Sequence, residues 1–138
     1  MIKKTKSPTR KVVKKTIRKV NDAEILRDLV IEGMLEKKAK EIVSIDLRNL
    51  KNSVADFFIV CHADSKTHTD AIAKSVEEFV FKKNGEDPFH KEGQGTSEWL
   101  LLDYLNVVVH IFQKERRDYY GIERLWADAE IQKIASSN

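Results

Sequence analysis

The chain has 138 residues, of which 41% are hydrophobic, 34% charged and 8% aromatic, with a formal net charge of +3. That length suits one domain, and the balance is too apolar for a wholly disordered chain and too polar for a membrane protein. No run nears the ~18 apolar residues of a membrane span, no apolar block follows the basic start as in a secretory signal, and Cys61 alone builds neither a disulfide framework nor a cysteine zinc site, which suits a reducing compartment such as the cytoplasm.

The charge is unevenly spread. Residues 1–20 hold nine basic residues and no acidic one, so the remaining body is net negative. Like-charge repulsion, few apolar residues and Pro8 predict a disordered basic arm over 1–20, followed by a folded domain over 21–138. The arm is Lys-rich and lacks a clear apolar face, which argues against a transit peptide. Its asymmetry with the body points to a nucleic-acid-facing arm on a domain suited to a basic partner, against the alternative of a merely solvated tail.

In chain order, Asn21 and Glu24 form a capping-box-like pair that opens a helix to about Lys38, with Ile25, Leu26, Leu29, Val30 and Met34 on one stripe. Glu41–Leu47 alternates as a strand, with Val43, Ile45 and Leu47 on one face. Ala55–Cys61 is almost continuously apolar, as in a strand covered on both sides. Asp64 or Ser65 caps a second helix over Lys66–Lys83, which Asn84-Gly85 ends. Pro88–Lys91 reads as a short strand. Trp99–Tyr104 and Val107–Phe112 read as a hairpin, and Glu115 to about Ile134 as helix broken at Gly121. The strand–helix–strand passage implies a crossover with parallel pairing, so the expected fold is α/β: one mixed sheet of about five strands with helices packed on it.

Ala55-Asp56-Phe57-Phe58-Ile59-Val60, Trp99-Leu100-Leu101-Leu102-Asp103-Tyr104, Val107-Val108-Val109-His110-Ile111-Phe112, and the ending with Arg117, Tyr120, Glu123, Leu125-Trp126 and Asp128-Ala129 stand in a diagnostic order. Together they resemble the ribosomal silencing factor (Iojap-like) family over roughly residues 22–130, the basic arm excluded. The resemblance implies a nucleotidyltransferase-like scaffold without the catalytic site. It also implies a translational repressor that binds the large ribosomal subunit through its ribosomal protein number fourteen and so blocks joining of the small subunit. Organelle relatives imply large-subunit assembly as the alternative. Two positions depart from the family pattern: Leu105-Asn106 stands where Gly-Asp is common, and Gly121 replaces a bulkier polar residue.

On the hairpin, alternation puts Trp99, Leu101 and Asp103 on one face and Leu100, Leu102 and Tyr104 on the other. An aromatic beside a carboxylate suits an anchor for a basic protein surface; the competing reading is a Trp99 half-buried under the second helix. The candidate partner-binding residues are Trp99, Leu101, Asp103, Tyr104, His110, Phe112, Arg117 and Tyr120. Leu125 and Trp126 are expected to anchor the last helix to the sheet. Lys11, Lys14, Lys15, Arg18 and Lys19 are candidate contacts to ribosomal RNA. His62, Asp64 and His68 have the residue types of a metal site, but capping explains Asp64 better, and no metal or cofactor is expected. No Walker loop, G-x-G-x-x-G, G-x-S-x-G or H-E-x-x-H is present. His62-Ala63-Asp64-Ser65 lacks the paired acids of a nucleotidyltransferase, so an enzyme of that type is the weaker alternative, beside an RNA-binding protein led by the arm. Exposed apolar residues on the hairpin leave monomer and homodimer both open.

Overall fold

A computed structural model describes residues 12–135, with side chains from Asp22 onward. Its elements are α1 (Val12–Glu36), β1 (Lys40–Asp46), β2 (Phe57–Ala63), α2 (Lys66–Asn84), β3 (His90–Glu92), β4 (Trp99–Asp103), β5 (Val107–Gln113), α3 (Lys114–Tyr120), α4 (Ile122–Leu125) and β6 (Glu130–Lys133). The six strands form one sheet in the order β3-β4-β5-β2-β1-β6. Only β2 and β5 run parallel, joined through α2 as the crossover requires; the other neighbours are antiparallel.

The central pair explains the rest. Because β2 and β5 are apolar on both faces, each face must be covered. Phe57, Ile59, Cys61, Val107, Val109 and Ile111 pack in one cluster with Leu26, Val30 and Met34 of α1 and Ile72, Val76 and Val80 of α2. Phe58, Val60, Val108 and Phe112 point the opposite way, with Val43, Ile45 and Leu47. The two helices meet very closely: Ser75 Oγ donates to the Gly33 carbonyl at 2.8 Å, and a Cβ on Gly33 would stand 2.8 Å from the Val76 Cα. Ser65 caps α2 by accepting from the His68 N–H at 3.1 Å, and Gly85 ends it in the left-handed region at φ 69°.

Several expectations need correction. The helix α1 is already formed at Val12, the first described residue, so Asn21 lies inside it and is no cap; Glu24 instead pairs with Arg48 at 2.8 Å. Of the expected arm, 12–20 therefore continue the α1 backbone, and 1–11, Lys11 included, lie outside the described residues. The sheet has six strands, because 130–133 form β6 beside β1 where helix was expected to reach Ile134. A register shift between Lys40 and Val43, with Glu41 at φ 51°, marks a bulge. Beyond it ordinary alternation puts Ile42 on the helix side while Val43 and Ile45 face away.

Candidate protein-binding face

The side of the sheet away from α1 and α2 is only partly covered. On it, Trp99 pairs across the hairpin with Phe112, Leu101 with His110 and Asp103 with Val108. In the next strand Phe58, Val60 and His62 stand beside Val108, His110 and Phe112. The cross-strand alternation read from the sequence holds: Leu100, Leu102 and Tyr104 are buried under the helices, while Trp99 and Leu101 are half-buried on the opposite face. Trp99 is thus not tucked under α2.

An aromatic cluster builds this face. The Trp99 ring stacks on Phe112 at 4.9 Å and lies 4.5 Å from Tyr120; Phe58 meets His110 at 4.8 Å and Trp126 at 5.7 Å, both edge-on. The Trp99 indole Nε1 donates to His110 Nδ1 at 3.1 Å, which fixes the indole plane. Burial alone pushes the His110 imidazole down to about 4, so the ring is neutral at physiological pH. Trp126 anchors the last helical segment on Phe58, as expected. Leu125 does not: at the end of α4, beyond the break at Gly121 (φ 57°), it is 75% exposed.

The structure separates the other candidate residues. Tyr104 lies on the helix side, buried, with its hydroxyl pushed up by burial and by Glu77, Asp87 and Glu86. Asp103 is half-buried, and its Oδ1 accepts from the Leu105 N–H at 2.8 Å, shaping the turn. There Leu105 sits at φ 75° and the Asn106 N–H donates to the Tyr104 carbonyl at 3.0 Å, the pattern of a γ-turn centred on Leu105, within the two-residue connection that the Tyr104 N–H closes on the Val107 carbonyl at 2.9 Å.

Phe112 has no exposed surface, and His110 almost none, so they form the floor. Arg117 is buried as well. Its guanidinium donates to both Glu123 oxygens (3.3 and 2.7 Å), to His62 Nδ1 (2.9 Å) and toward the Lys40 carbonyl (3.4 Å). It thereby ties α3 and α4 across Gly121 and holds both against β1 and β2. Burial, then the Arg117 charge, holds the His62 pKa below its ordinary value.

The surface left for contact is Trp99, Leu101, the edge of Asp103 and Tyr120, which is 42% exposed. Sequence reading missed Tyr119, 73% exposed and edge-on to Tyr120, and Leu125. The adjacent Tyr119-Tyr120 pair on one helical turn was the available signal, since two neighbouring tyrosines cannot both face the sheet. Carboxylates border the patch: Glu98, paired with Arg116 at 3.2 Å, and Glu92, bound to His90 at 2.7 Å. Elsewhere the His62, Asp64 and His68 side chains are spent separately. His62 takes Arg117, Asp64 pairs with Lys40 at 3.5 Å, and His68 Nε2 meets the Lys37 carbonyl at 2.7 Å. Among the described residues no group of three or more such side chains could hold a metal ion, and no helix is long and apolar enough to cross a membrane.

Fold and face together define a mixed α/β module that covers one side of its sheet with helices and offers aromatic surface on the other. Comparison with known proteins gives this class a family. The profile described as "Ribosomal silencing factor during starvation" matches residues 20–138, and the chain belongs to that family. It is 34% identical over 109 residues to the ribosomal silencing factor RsfS of Halalkalibacterium halodurans, covering 79% of this chain and 92% of that protein. A mouse protein named "Mitochondrial assembly of ribosomal large subunit protein 1" is 26% identical over 115 residues, 79% of this chain and 50% of the mouse one. A crystal structure of a Chromobacterium violaceum protein superposes with a TM-score of 0.72 at 34% identity, over 84% of this chain and 92% of the other.

Proposed function

We propose that the chain is a translational repressor that binds the large ribosomal subunit through its ribosomal protein number fourteen and keeps the small subunit from joining. Family membership places it with ribosome-associated regulators. The observation that carries the finer reading is the patch of half-buried Trp99 and Leu101 and exposed Tyr120, bordered by carboxylates, on the side of the sheet that α1 and α2 leave open. Aromatic anchors with an acidic rim suit a basic protein surface, and an interface of ordinary size buries ~800 Å² on each partner. Such a docked module excludes a competing particle by volume, so no chemical step is needed and no metal or cofactor is assigned. In this reading the chain works in the cytoplasm, where its target is assembled. Lys14, Lys15, Arg18 and Lys19, on the N-terminal part of α1, and Lys11 before it contact ribosomal RNA. That contribution should weaken steeply with salt while the aromatic anchoring should not.

A second reading, an assembly factor for the large subunit, is favoured by the name of the mouse relative. Purified subunits decide. Repression predicts that the protein sediments with mature large subunits and that added small subunits then fail to join. Assembly predicts preference for immature particles. Magnesium-dependent nucleotide binding with no ribosomal affinity would instead favour the nucleotidyltransferase alternative. Loss of ribosome binding on removing residues 1–20, with the body inert, would favour the arm-led RNA binder.

A further inference from the structure

His110 carries a buried hydrogen-bond donor that the fold leaves unused. An indole N–H only donates, so His110 Nδ1 must accept from Trp99. A neutral imidazole has a single N–H, which then sits on Nε2. That atom is shielded from solvent and has no hydrogen-bond partner among the described residues. Burying an unpaired donor is costly, and native chains seldom keep one without a use. The surroundings do not call for a polar ring, since Phe58, Val60, Leu101 and Phe112 are its neighbours on β2, β4 and β5. Tyr104 has a similarly unpartnered hydroxyl, but it lies on the side covered by the helices. His110 lies under the open face, directly across from the half-buried Leu101 and in contact with the half-buried Trp99.

We propose that the Nε2–H of His110 donates a hydrogen bond to a carbonyl oxygen of the protein that docks on this face, which makes His110 a specificity-determining residue beneath the interface. The proposal rests on the partner-binding reading above. A carbonyl fits better than a carboxylate, because the side chains around His110 (Phe58, Val60, Trp99, Leu101 and Phe112) carry no cation and a buried unpaired charge is heavily penalised. Side-chain rotamers commonly change when interfaces form, and the half-buried Leu101, directly across from His110, is the side chain whose movement this contact calls for. A partner without an acceptor at this point leaves the donor unpaired in a dry interface, so the same atom that rewards the right partner rejects the wrong one.

The test titrates purified large ribosomal subunits with full-length wild type, Trp99→Ala, His110→Phe, His110→Asn and His110→Gln, read by co-sedimentation, with a thermal melt of each variant. The Asn amide reaches the Nδ1 position and can still pair with Trp99. The Gln amide, one methylene longer, carries an N–H to the Nε2 position. His110→Phe and His110→Asn should bind about tenfold more weakly, and His110→Gln within about threefold of wild type, without the melting temperatures following that order. Wild-type binding by the Phe or Asn variant overturns the proposal, and so does a Gln variant as weak as Phe, which would assign His110 to packing. If Phe alone fails to fold, the Asn–Gln pair still decides. A Trp99→Ala variant that binds like wild type refutes the partner-binding face itself. Loss in Trp99→Ala with no loss in His110→Phe or His110→Asn refutes only the donor.

Discussion

Replacing Gly33 by Ala should destabilise the fold, although alanine is the better helix former. The new Cβ would lie 2.8 Å from the Val76 Cα, 3.1 Å from the Val76 N and 3.2 Å from the Ser75 carbonyl oxygen. All three are backbone atoms of α2, so no side chain can turn aside. Ordinary contact at ~3.5 Å or more requires α1 and α2 to part by about 0.7 Å. Overpacking of this kind costs about 1–3 kcal/mol. The same shift stretches the 2.8 Å bond from Ser75 Oγ to the Gly33 carbonyl to the edge of hydrogen-bond range, forfeiting about 1 kcal/mol. Against this, Gly→Ala inside a helix returns about 1 kcal/mol. The net is a loss of about 1–3 kcal/mol, a fall in melting temperature of about 4–10 °C for a chain of this size. Two-state thermal unfolding followed by circular dichroism measures it. An unchanged or higher melting temperature for Gly33→Ala would refute the close helix crossing. Because the clash is with backbone, Gly33→Ala combined with Val76→Ala should show no rescue.

Trp99→Ala should weaken binding to large subunits about 30-fold or more, the usual loss for a central aromatic anchor, measured by co-sedimentation. Arg117→Met should cost about 2 kcal/mol, discounted because its partner Glu123 is partly solvated. It should also raise the His62 pKa toward the ordinary histidine value, seen in an NMR titration, since the Arg117 charge is one of the causes that depress it. His110 stays neutral in the fold down to about 4, whereas the unfolded chain takes up its proton near 6.5. Stability should therefore fall as pH drops from about 6.5 to 4, by up to about 3 kcal/mol from this residue, and His110→Phe should flatten that slope in denaturant titrations. Leu105→Gly should raise stability by about 1 kcal/mol in the same assay, because Leu105 holds φ 75° at a cost that glycine avoids.

What could be read from the residues was what local chemistry decides. The Ser65 and Gly85 caps, the alternation along β4 and the doubly apolar β2 depend on neighbours close in sequence; the caps and β4 stand where expected, and β2 runs two residues later than Ala55–Cys61, over Phe57–Ala63. β6 was illegible because Glu130, Gln132 and Lys133 have no strand preference of their own; the strand exists through pairing with β1. The bulge at Glu41 was hidden likewise, since a single unpaired residue leaves the alternation of Val43 and Ile45 intact. Alternation also placed Trp99, Leu101 and Asp103 on one face without saying what covers it. The cover comes from α3 and α4, more distant in the chain, which bury Arg117 and Ile122 and leave Tyr120 outside.

The turn at Leu105 links stability to the binding face. In β4 a slip of one residue would send Trp99 and Leu101 into the helix-side core and Leu100, Leu102 and Tyr104 out to solvent. Register is held where the Tyr104 N–H donates to the Val107 carbonyl at 2.9 Å and the Asn106 carbonyl accepts from the Asp56 and Phe57 N–H groups at 2.8 and 3.1 Å. Asp103 contributes by holding the Leu105 N–H, so its carboxylate serves the face first by fixing which side chains appear on it. The strained Leu105 backbone follows from that constraint: with Asp103 opposite Val108 and Tyr104 bonded to Val107, only Leu105 and Asn106 are left to reverse the chain. Glycine there should relax the turn and keep the register, so Leu105→Gly should stabilise the fold while leaving subunit binding at the wild-type level. A loss of binding in that variant would mean that the exposed Leu105 side chain itself belongs to the interface.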